Sequence, residues 1–316
     1  MILPAFLNRP SIRRTAGRFL YRYAALGGEP LFSDLVLDRD RELWLDPDPL
    51  LHSPNTCRNQ LPANEKDLSA WHCCRLWQRK LNNKLNAKLF VAAHGLNVAK
   101  LYWKGKNPED IPFESLPSRY VVKTSTSWSS NQVAPIIDGT NIFTARTQSP
   151  EELIVQFRHI MSEEPYASGH IFVEAILQSL HGGEIPKDYK CWVFSGNVQF
   201  VQVINRLDRR HRWYRPDWRP LCDQMHLGWD LDDLDEKPAH LSQLIGAAEL
   251  LAGAYEYPFV RIDFYDTPQG IVFGEFTPTP LAGPSRLLYT PYANRTMGRL
   301  WSDGLSSIKL GKGATR

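Results

Sequence analysis

No apolar run in this 316-residue chain approaches the roughly 20 residues that a membrane-spanning helix needs. The apolar opening, Met1 to Leu7, is broken by Asn8, Arg9 and Pro10 before it could serve as the core of an export signal. The sequence therefore predicts a soluble, cytoplasmic protein. Cysteine is scarce: the five residues Cys57, Cys73, Cys74, Cys191 and Cys222 are odd in number and lack C-x-x-C spacing, which predicts buried thiols rather than a disulfide framework or a zinc site. None of the nine histidines forms a paired ligand spacing such as H-x-x-x-H. A formal charge of +3 is too small for this length to suggest a nucleic-acid partner.

What is present is an ordinary globular composition, 43% hydrophobic and 22% charged, enough for two domains or one large composite one. One local exception is Arg9 to Arg22, where Arg9, Arg13, Arg14, Arg18 and Arg22 recur at helical spacing beside aromatic residues. This predicts an amphipathic helix, with either a solvated basic face or a face that touches a membrane surface or polyanion.

Alternating period and punctuation divide the rest. Asn64 to Asn97 carries apolar residues without proline and predicts mainly helix, ended by Gly95. Arg119 to Lys123, Val133 to Ile137 and Ile171 to Leu177 predict strands, with a helix opening at Ser149-Pro150-Glu151-Glu152 between the last two. Tyr189 to Phe194 and Val198 to Ile204 predict a hairpin turning at Ser195-Gly196-Asn197, and a helix is expected from Ala239 to Ala254. Phe259 to Tyr265 and Gly270 to Thr277 predict a second hairpin. The resulting class is α+β.

In the second hairpin, alternation puts Val260, Ile262 and Phe264 on one face and Arg261, Asp263 and Tyr265 on the other. A three-residue loop, Pro268 to Gly270, would pair Asp263 with Glu275, their Cβ atoms roughly 5 Å apart. Two facing carboxylates repel unless one protonates or a cation intervenes. A divalent metal with Arg261 holding a phosphate, or solvated strand residues with Arg261 as a salt-bridge partner, both satisfy the hairpin taken alone.

Lys123 at a strand end, the run Val173-Glu174-Ala-Ile-Leu177, and Arg261-Ile-Asp263 followed by Glu275-Phe-Thr277 occur in an order that resembles ATP-grasp enzymes. More narrowly, the chain resembles the TupA-like branch associated with teichuronopeptide biosynthesis. The resemblance rests on Leu116-Pro-Ser-Arg-Tyr-Val-Val-Lys123, Asp188-Tyr-Lys190, Val193-Phe-Ser-Gly196, Tyr214-Arg-Pro-Asp-Trp218 and Glu275-Phe-Thr-Pro-Thr-Pro280. It runs from Asn83 to Leu300.

The resemblance implies the ATP-grasp fold, two α+β subdomains gripping ATP, with a smaller N-terminal domain completing the substrate cleft. The implied limits are 1–117 for the N-terminal domain with its basic helix, 118–178 for the lid subdomain and 179–316 for the C-terminal subdomain with the metal-binding hairpin. It implies ATP and Mg²⁺ as cofactors. Lys84 and Lys123 match the lysines on the ATP phosphates, and Lys190 a further phosphate-side lysine. Glu174 matches the hinge acid near the adenine amino group, and the backbone of Ala175, Ile176 and Leu177 would read the adenine edge. Asp263 and Glu275 match the Mg²⁺ carboxylates, and Arg261 the arginine beside the transferred phosphate.

Two departures stand out. Thr277 replaces a common asparagine on the metal side. The loop Thr124 to Asn131 lacks the family's glycine, so the hydroxyls of Ser127 and Ser129 would have to donate to phosphate, with Trp128 as a cap.

The function implied is a ligase that activates a substrate carboxylate as an acylphosphate for attack by an amine or thiol, acting on small-molecule acids and amines. Arg261, Arg206 and Lys190 are the expected catalytic groups, and the loop Pro278 to Arg286, with Gly283 and Arg286, the expected acid site. A kinase phosphorylating a hydroxyl and a non-catalytic ATP-binding regulator are the alternatives. His181 and Glu184 are candidates for the ribose. Trp213, Tyr214 and Trp218 with neighbouring arginines read as a packed loop or as a stacking platform. A homodimer stays open.

Overall fold

The computed structural model describes residues 28, 30–45, 54–127, 132–163, 166–180, 182–207, 210–221, 225, 237–281 and 289–313. The predicted basic helix Arg9 to Arg22 lies outside the described residues, as do Trp128, Ser129, His181, Cys222, Gly283 and Arg286.

Among the described residues the first elements are α1 (Phe32–Leu45) and the short α2 (Pro54–Asn59). The stretch predicted to be mainly helical is more broken than its periodicity suggested. Two 3₁₀ segments, Leu68–His72 and Trp77–Asn82, precede a ten-residue helix, α3 (Lys84–Ala93). The last break falls at Asn83, whose extended backbone and side-chain oxygen, accepting from the Leu85 and Asn86 amides, start a new helix rather than continue the 3₁₀ segment before it. Gly95 ends α3 as expected: its φ is +75° and its amide donates to Ala92 O at 2.9 Å.

Beyond α3 come β1 (Asn97–Val98), β2 (Leu101–Gly105), β3 (Arg119–Thr124), β4 (Val133–Ile137), β5 (Thr140–Asn141), β6 (Arg146–Thr147), α4 (Pro150–Met161) and β7 (Ile171–Ala175). The C-terminal part adds β8 (Asp188–Phe194), β9 (Asn197–Ile204), β10 (His211–Tyr214), α5 (Leu241–Tyr255), β11 (Phe259–Thr267), β12 (Gly270–Thr277) and α6 (Pro291–Gly313). Ser149 caps α4 with a complete capping box through Glu152. Ser195 and Gly196 turn the β8–β9 hairpin with φ of 51° and 80°, the positive values a two-residue type I′ turn needs.

These strands form two six-stranded sheets. The larger runs β1-β12-β11-β8-β9-β10, antiparallel except for β1 with β12; the smaller runs β2-β7-β3-β4-β5-β6, antiparallel throughout. Thus β1 and β2, both before residue 117, each supply an edge strand to a different sheet.

Period-two alternation sorts the faces. On the larger sheet, Tyr189, Cys191, Val260, Ile262 and Phe264 pack under α5 through Leu244, Ala248 and Leu251. Part of the opposite face is apolar too: Trp192, Phe194 and Phe259 meet Phe32 of α1 and Trp301 of α6. On the smaller sheet, Tyr120, Val122, Ile171 and Val173 pack against Leu153 and Phe157 of α4. Its other face carries Val121, Lys123, Phe172 and Glu174, which the register sets side by side. Among the described residues no helix is long and apolar enough to cross a membrane.

Candidate active site

The second hairpin pairs Asp263 with Glu275, as the alternation predicts, but by another route. Its loop has two residues, Pro268 and Gln269, closing on a Thr267–Gly270 pair rather than three. Left alone, that register would oppose Asp263 with Gly274. A bulge between Asp263 and Phe264 inserts Gly274 as an extra residue and moves Glu275 opposite Asp263. A Cβ on Gly274 would lie 3.0 Å from Asp263 O, so glycine makes the bulge fit.

The register gathers charge on this face. Asp263 opposes Glu275 on β12 and Lys190 on β8; Tyr265 opposes Asp188; Arg261 opposes Thr277. Arg261 donates from Nε to Asp263 Oδ1 at 2.7 Å and from Nη2 to Asp263 Oδ2 at 2.9 Å and Thr277 Oγ1 at 2.8 Å. Lys190 Nζ contacts Asp263 Oδ2 and lies 3.3 Å from Asp188 Oδ2, while Arg206 reaches the same Asp188 oxygen from Nε at 2.6 Å. Lys84 Nζ donates to Glu275 Oε2 at 2.7 Å.

The two hairpin carboxylates differ in access. The Asp263 side chain is 3% exposed and that of Glu275 33%, so Glu275 is the one open to the cleft. Burial would raise the Glu275 carboxyl, but Lys84, Lys190 and Arg261 outweigh it and hold it well below the usual range. Asp188 is lowered in the same way by Arg206 and Lys190 against its own burial, whereas burial and then Asp188 push the Tyr265 hydroxyl well up.

Opposite this face stands the smaller sheet. Glu174 lies diagonally across from Lys123, since Val121 opposes Glu174 and Lys123 opposes Phe172. Lys123 Nζ contacts Glu174 Oε1, and Lys88 Nζ contacts Oε2 at 2.6 Å. Burial of Glu174 would raise its carboxyl, yet Lys123 and Lys88 bring it down to about 2. Lys123 is lowered, chiefly by burial and then by Lys88 and Lys84, against the pull of Glu174.

Helix α3 stands between the sheets. Ala87, Phe90 and Val91 enter the larger core, and the Lys84 amide donates to Ser125 O, at 2.7 Å, in the loop that follows β3. Lys84 and Lys88, one helical turn apart, therefore reach opposite sheets. Thr124 to Ser127 is buried, and Ser127 Oγ donates to Thr124 O at 3.1 Å, so this hydroxyl faces its own turn. The Ala175 amide is used by Lys100 O at 2.9 Å; Ile176 and Leu177 continue past the strand, half-buried.

Six cations (Lys84, Lys88, Lys123, Lys190, Arg206 and Arg261) thus face four carboxylates, Glu174, Asp188, Asp263 and Glu275. The formal excess of two positive charges suits a polyanion. Among the described residues no three His, Cys, Asp or Glu side chains gather as a metal cage. Asp263, Glu275 and Thr277 offer hard oxygen donors, which fits Mg²⁺, an ion that takes one or two carboxylates and completes its shell with phosphate and water.

Two members of this network escaped the sequence reading. Lys88 was signalled only by its four-residue spacing from Lys84, and Asp188 by its place in the Asp188-Tyr-Lys190 motif and its alternation with Lys190, without a role attached. Glu184, a ribose candidate, is exposed, and its carbonyl accepts from Arg119 at 3.0 Å. Trp213 and Tyr214 lie on β10 rather than in a loop, and with Trp218 they are buried rather than offered for stacking, Tyr214 and Trp218 stacked on each other at 4.0 Å. Of the described cysteines, Cys57, Cys74 and Cys191 are buried as expected, whereas Cys73 is exposed.

No curated protein matches the chain. Among solved structures it is similar to the D-alanine–D-alanine ligase of Bacillus anthracis complexed with ATP, at 12% identity over 74% of this chain and 66% of that one, with a TM-score of 0.47. It is also similar to the D-alanine–D-alanine ligase of Coxiella burnetii (12% identity, 75% and 62% covered, TM-score 0.45) and to a RimK domain ATP-grasp protein of Sphaerobacter thermophilus (12%, 71% and 67%, 0.45). The chain spans just under two thirds of the first two solved chains. The family model described as TupA-like ATPgrasp matches residues 73–291, more than half of the sequence, and the chain belongs to that family.

Proposed function

We propose that this protein is a Mg-ATP-dependent ligase that activates a small-molecule carboxylate as an acylphosphate and passes the acyl group to an amine or thiol. The observation that carries the reading is the opposition of the Asp263–Glu275 pair with Arg261 on one sheet to Lys123 on the other, with Lys84 between them. Phosphoryl transfer needs charge neutralisation and positioning more than covalent chemistry, and these are the parts it uses.

In this reading the γ-phosphorus is attacked by a substrate carboxylate oxygen, and the bond to the bridging oxygen breaks as ADP leaves. The amine or thiol then attacks the acyl carbon, phosphate departs with the bonding electrons, and the nucleophile gives up its proton. Mg²⁺, held by Asp263, Glu275 and Thr277, would supply neutralisation of the phosphate charge. Lys84, now spent on the open carboxylate Glu275, turns to the phosphates when nucleotide enters. Lys190, 5% exposed between Asp188 and Asp263, keeps those two acids from repelling each other. Arg261, anchored on Asp263 and Thr277, faces the transferred group, and Arg206, anchored on Asp188, faces the acid substrate. Ile176 and Leu177 offer backbone to the adenine edge. The limits 1–117, 118–178 and 179–316 go with this reading, with β1 and β2 of the first part completing the sheets of the other two.

The test is calorimetric titration of Mg-ATP into the wild type and a Glu275→Gln variant, followed by ADP release over mixtures of small acids and amines. Saturable binding that requires Mg²⁺ and weakens at least about tenfold in the variant is expected. Mass spectrometry should then find an amide or thioester; a phosphorylated alcohol instead would replace the ligase with a kinase. A folded wild type that binds no Mg-ATP would end the reading.

A further inference from the structure

Resting on the nucleotide site proposed above, we infer that Lys88 is a positioning residue for that site: it shares Glu174 with Lys123, so that the phosphate lysine is held in place without losing the charge that attracts phosphate.

Lys123 has a long flexible side chain, and holding it ready carries an entropic cost that a fixed partner offsets. Glu174 is that partner. Its side chain is 7% exposed, and both of its oxygens are used, one by Lys123 and the other by Lys88 at 2.6 Å. A one-to-one pair of Lys123 with Glu174 would be neutral and would offer nothing to an anion. With Lys88 on the second oxygen the cluster keeps one positive charge, and Lys123 is still fixed. Phe172, whose ring lies 5.3 Å from Lys123 Nζ, confines the ammonium from another side.

Lys88 comes from outside the smaller sheet. It sits on α3, whose Ala87, Phe90 and Val91 belong to the core of the larger sheet, while Glu174 and Lys123 belong to the smaller one. The geometry also gives Glu174 a role other than reading the base. Its carboxylate oxygens are both engaged by ammonium groups, so selection of adenine falls to the backbone beyond β7.

Calorimetry on the full chain tests this, with Mg-ATP, Mg-GTP and adenosine as probes and a thermal melt as a check of folding. Lys88→Met should weaken Mg-ATP by about 10- to 100-fold while adenosine changes by less than about twofold, and Lys88→Arg should recover to within about threefold. Glu174→Gln should weaken Mg-ATP and Mg-GTP in the same proportion, and adding Lys88→Met to it should cost little more. Should Lys88→Met fail to fold, Glu174→Gln and Lys88→Arg carry the test. A Lys88→Met protein that binds Mg-ATP as the wild type does, or that loses adenosine equally, overturns the inference and leaves the nucleotide reading standing. A Glu174→Gln protein whose preference for ATP over GTP collapses overturns it as well, by restoring the base-reading role. A wild type blind to Mg-ATP overturns both.

Discussion

The two sheets have the same number of strands and put their carboxylates to different uses. Among the described residues, and counted without α3, each is neutral at the cleft. The larger sets Asp188, Asp263 and Glu275 against Lys190, Arg206 and Arg261, and the smaller sets Glu174 against Lys123. Both extra positive charges come from one turn of α3, Lys84 to the larger sheet and Lys88 to the smaller. The sheets thus supply ordered ion pairs, and the helix between them supplies the attraction for a polyanion. They differ also in access: the larger offers Glu275, 33% exposed, to a cation, while Glu174, 7% exposed, is closed to one.

That difference breaks most severely at Glu174. Replacing it with leucine strands Lys88 and Lys123 without an anion, and losing one partner of a buried ionic cluster costs on the order of 3–5 kcal/mol. Urea unfolding of Glu174→Leu against the wild type measures it. The same residue makes acid stability asymmetric. Its carboxyl sits at about 2 in the folded protein against an ordinary 4.5. A depressed carboxyl contributes stability that is complete above the unfolded value and is lost as pH falls from about 4.5 towards 2, here ~3 kcal/mol. Urea midpoints at pH 6 and pH 3 should fall less far apart in Glu174→Gln than in the wild type.

The larger sheet has a subtler weak point, the bulge. A methyl group on Gly274 would press on Asp263 O at 3.0 Å and on the Tyr265 ring at 3.1 Å. Gly274→Ala should cost about 1–3 kcal/mol, the usual penalty for overpacking. It should also weaken Mg²⁺-dependent nucleotide binding, because relief of the clash draws Glu275 out of register with Asp263. Calorimetry with and without Mg²⁺ separates the two effects.

What the sequence disclosed follows from the range of the interactions involved. Local rules located Ser149 as a cap, Gly95 as a stop and Ser195-Gly196 as a turn, because each is decided within a few residues. Alternation put Arg261 and Asp263 on one face, and the predicted partner of Asp263 proved to be Glu275 even though the loop is one residue shorter than expected. Two local departures cancelled, a shorter turn and an added bulge, and no periodicity reveals that. The need of Glu174 for a cationic partner was legible from its apolar setting, but which lysine would meet it was not. Lys88 is 86 positions away in sequence, and only the packing of α3 between the sheets brings it there. The breaks in the 64–97 stretch were missed for the opposite reason: apolar spacing suits an α-helix throughout, whereas local caps at Asp67 and Asn83 start separate segments.

The smallest expected effect asks whether the two sheets act as one. Ser149 caps α4, which packs into the smaller sheet's core through Leu153 and Phe157. Ser149→Ala should remove about 1 kcal/mol, the usual worth of a cap. If α3 binds the sheets into a single cooperative unit, that loss, measured in a Trp103→Phe background because Trp103 packs on the smaller core, shifts one transition seen alike by far-ultraviolet dichroism and by tryptophan fluorescence, whose buried reporters Trp192, Trp213 and Trp301 lie in the larger sheet's core. The anchoring favours this outcome: α3 is packed into the larger core, and its first amide, on Lys84, is bonded to Ser125 of the smaller sheet's loop. Two separate transitions, with only the dichroic one moved, would mean that the lysines of α3 touch both sheets without coupling them. In that case each sheet would meet its part of the nucleotide independently.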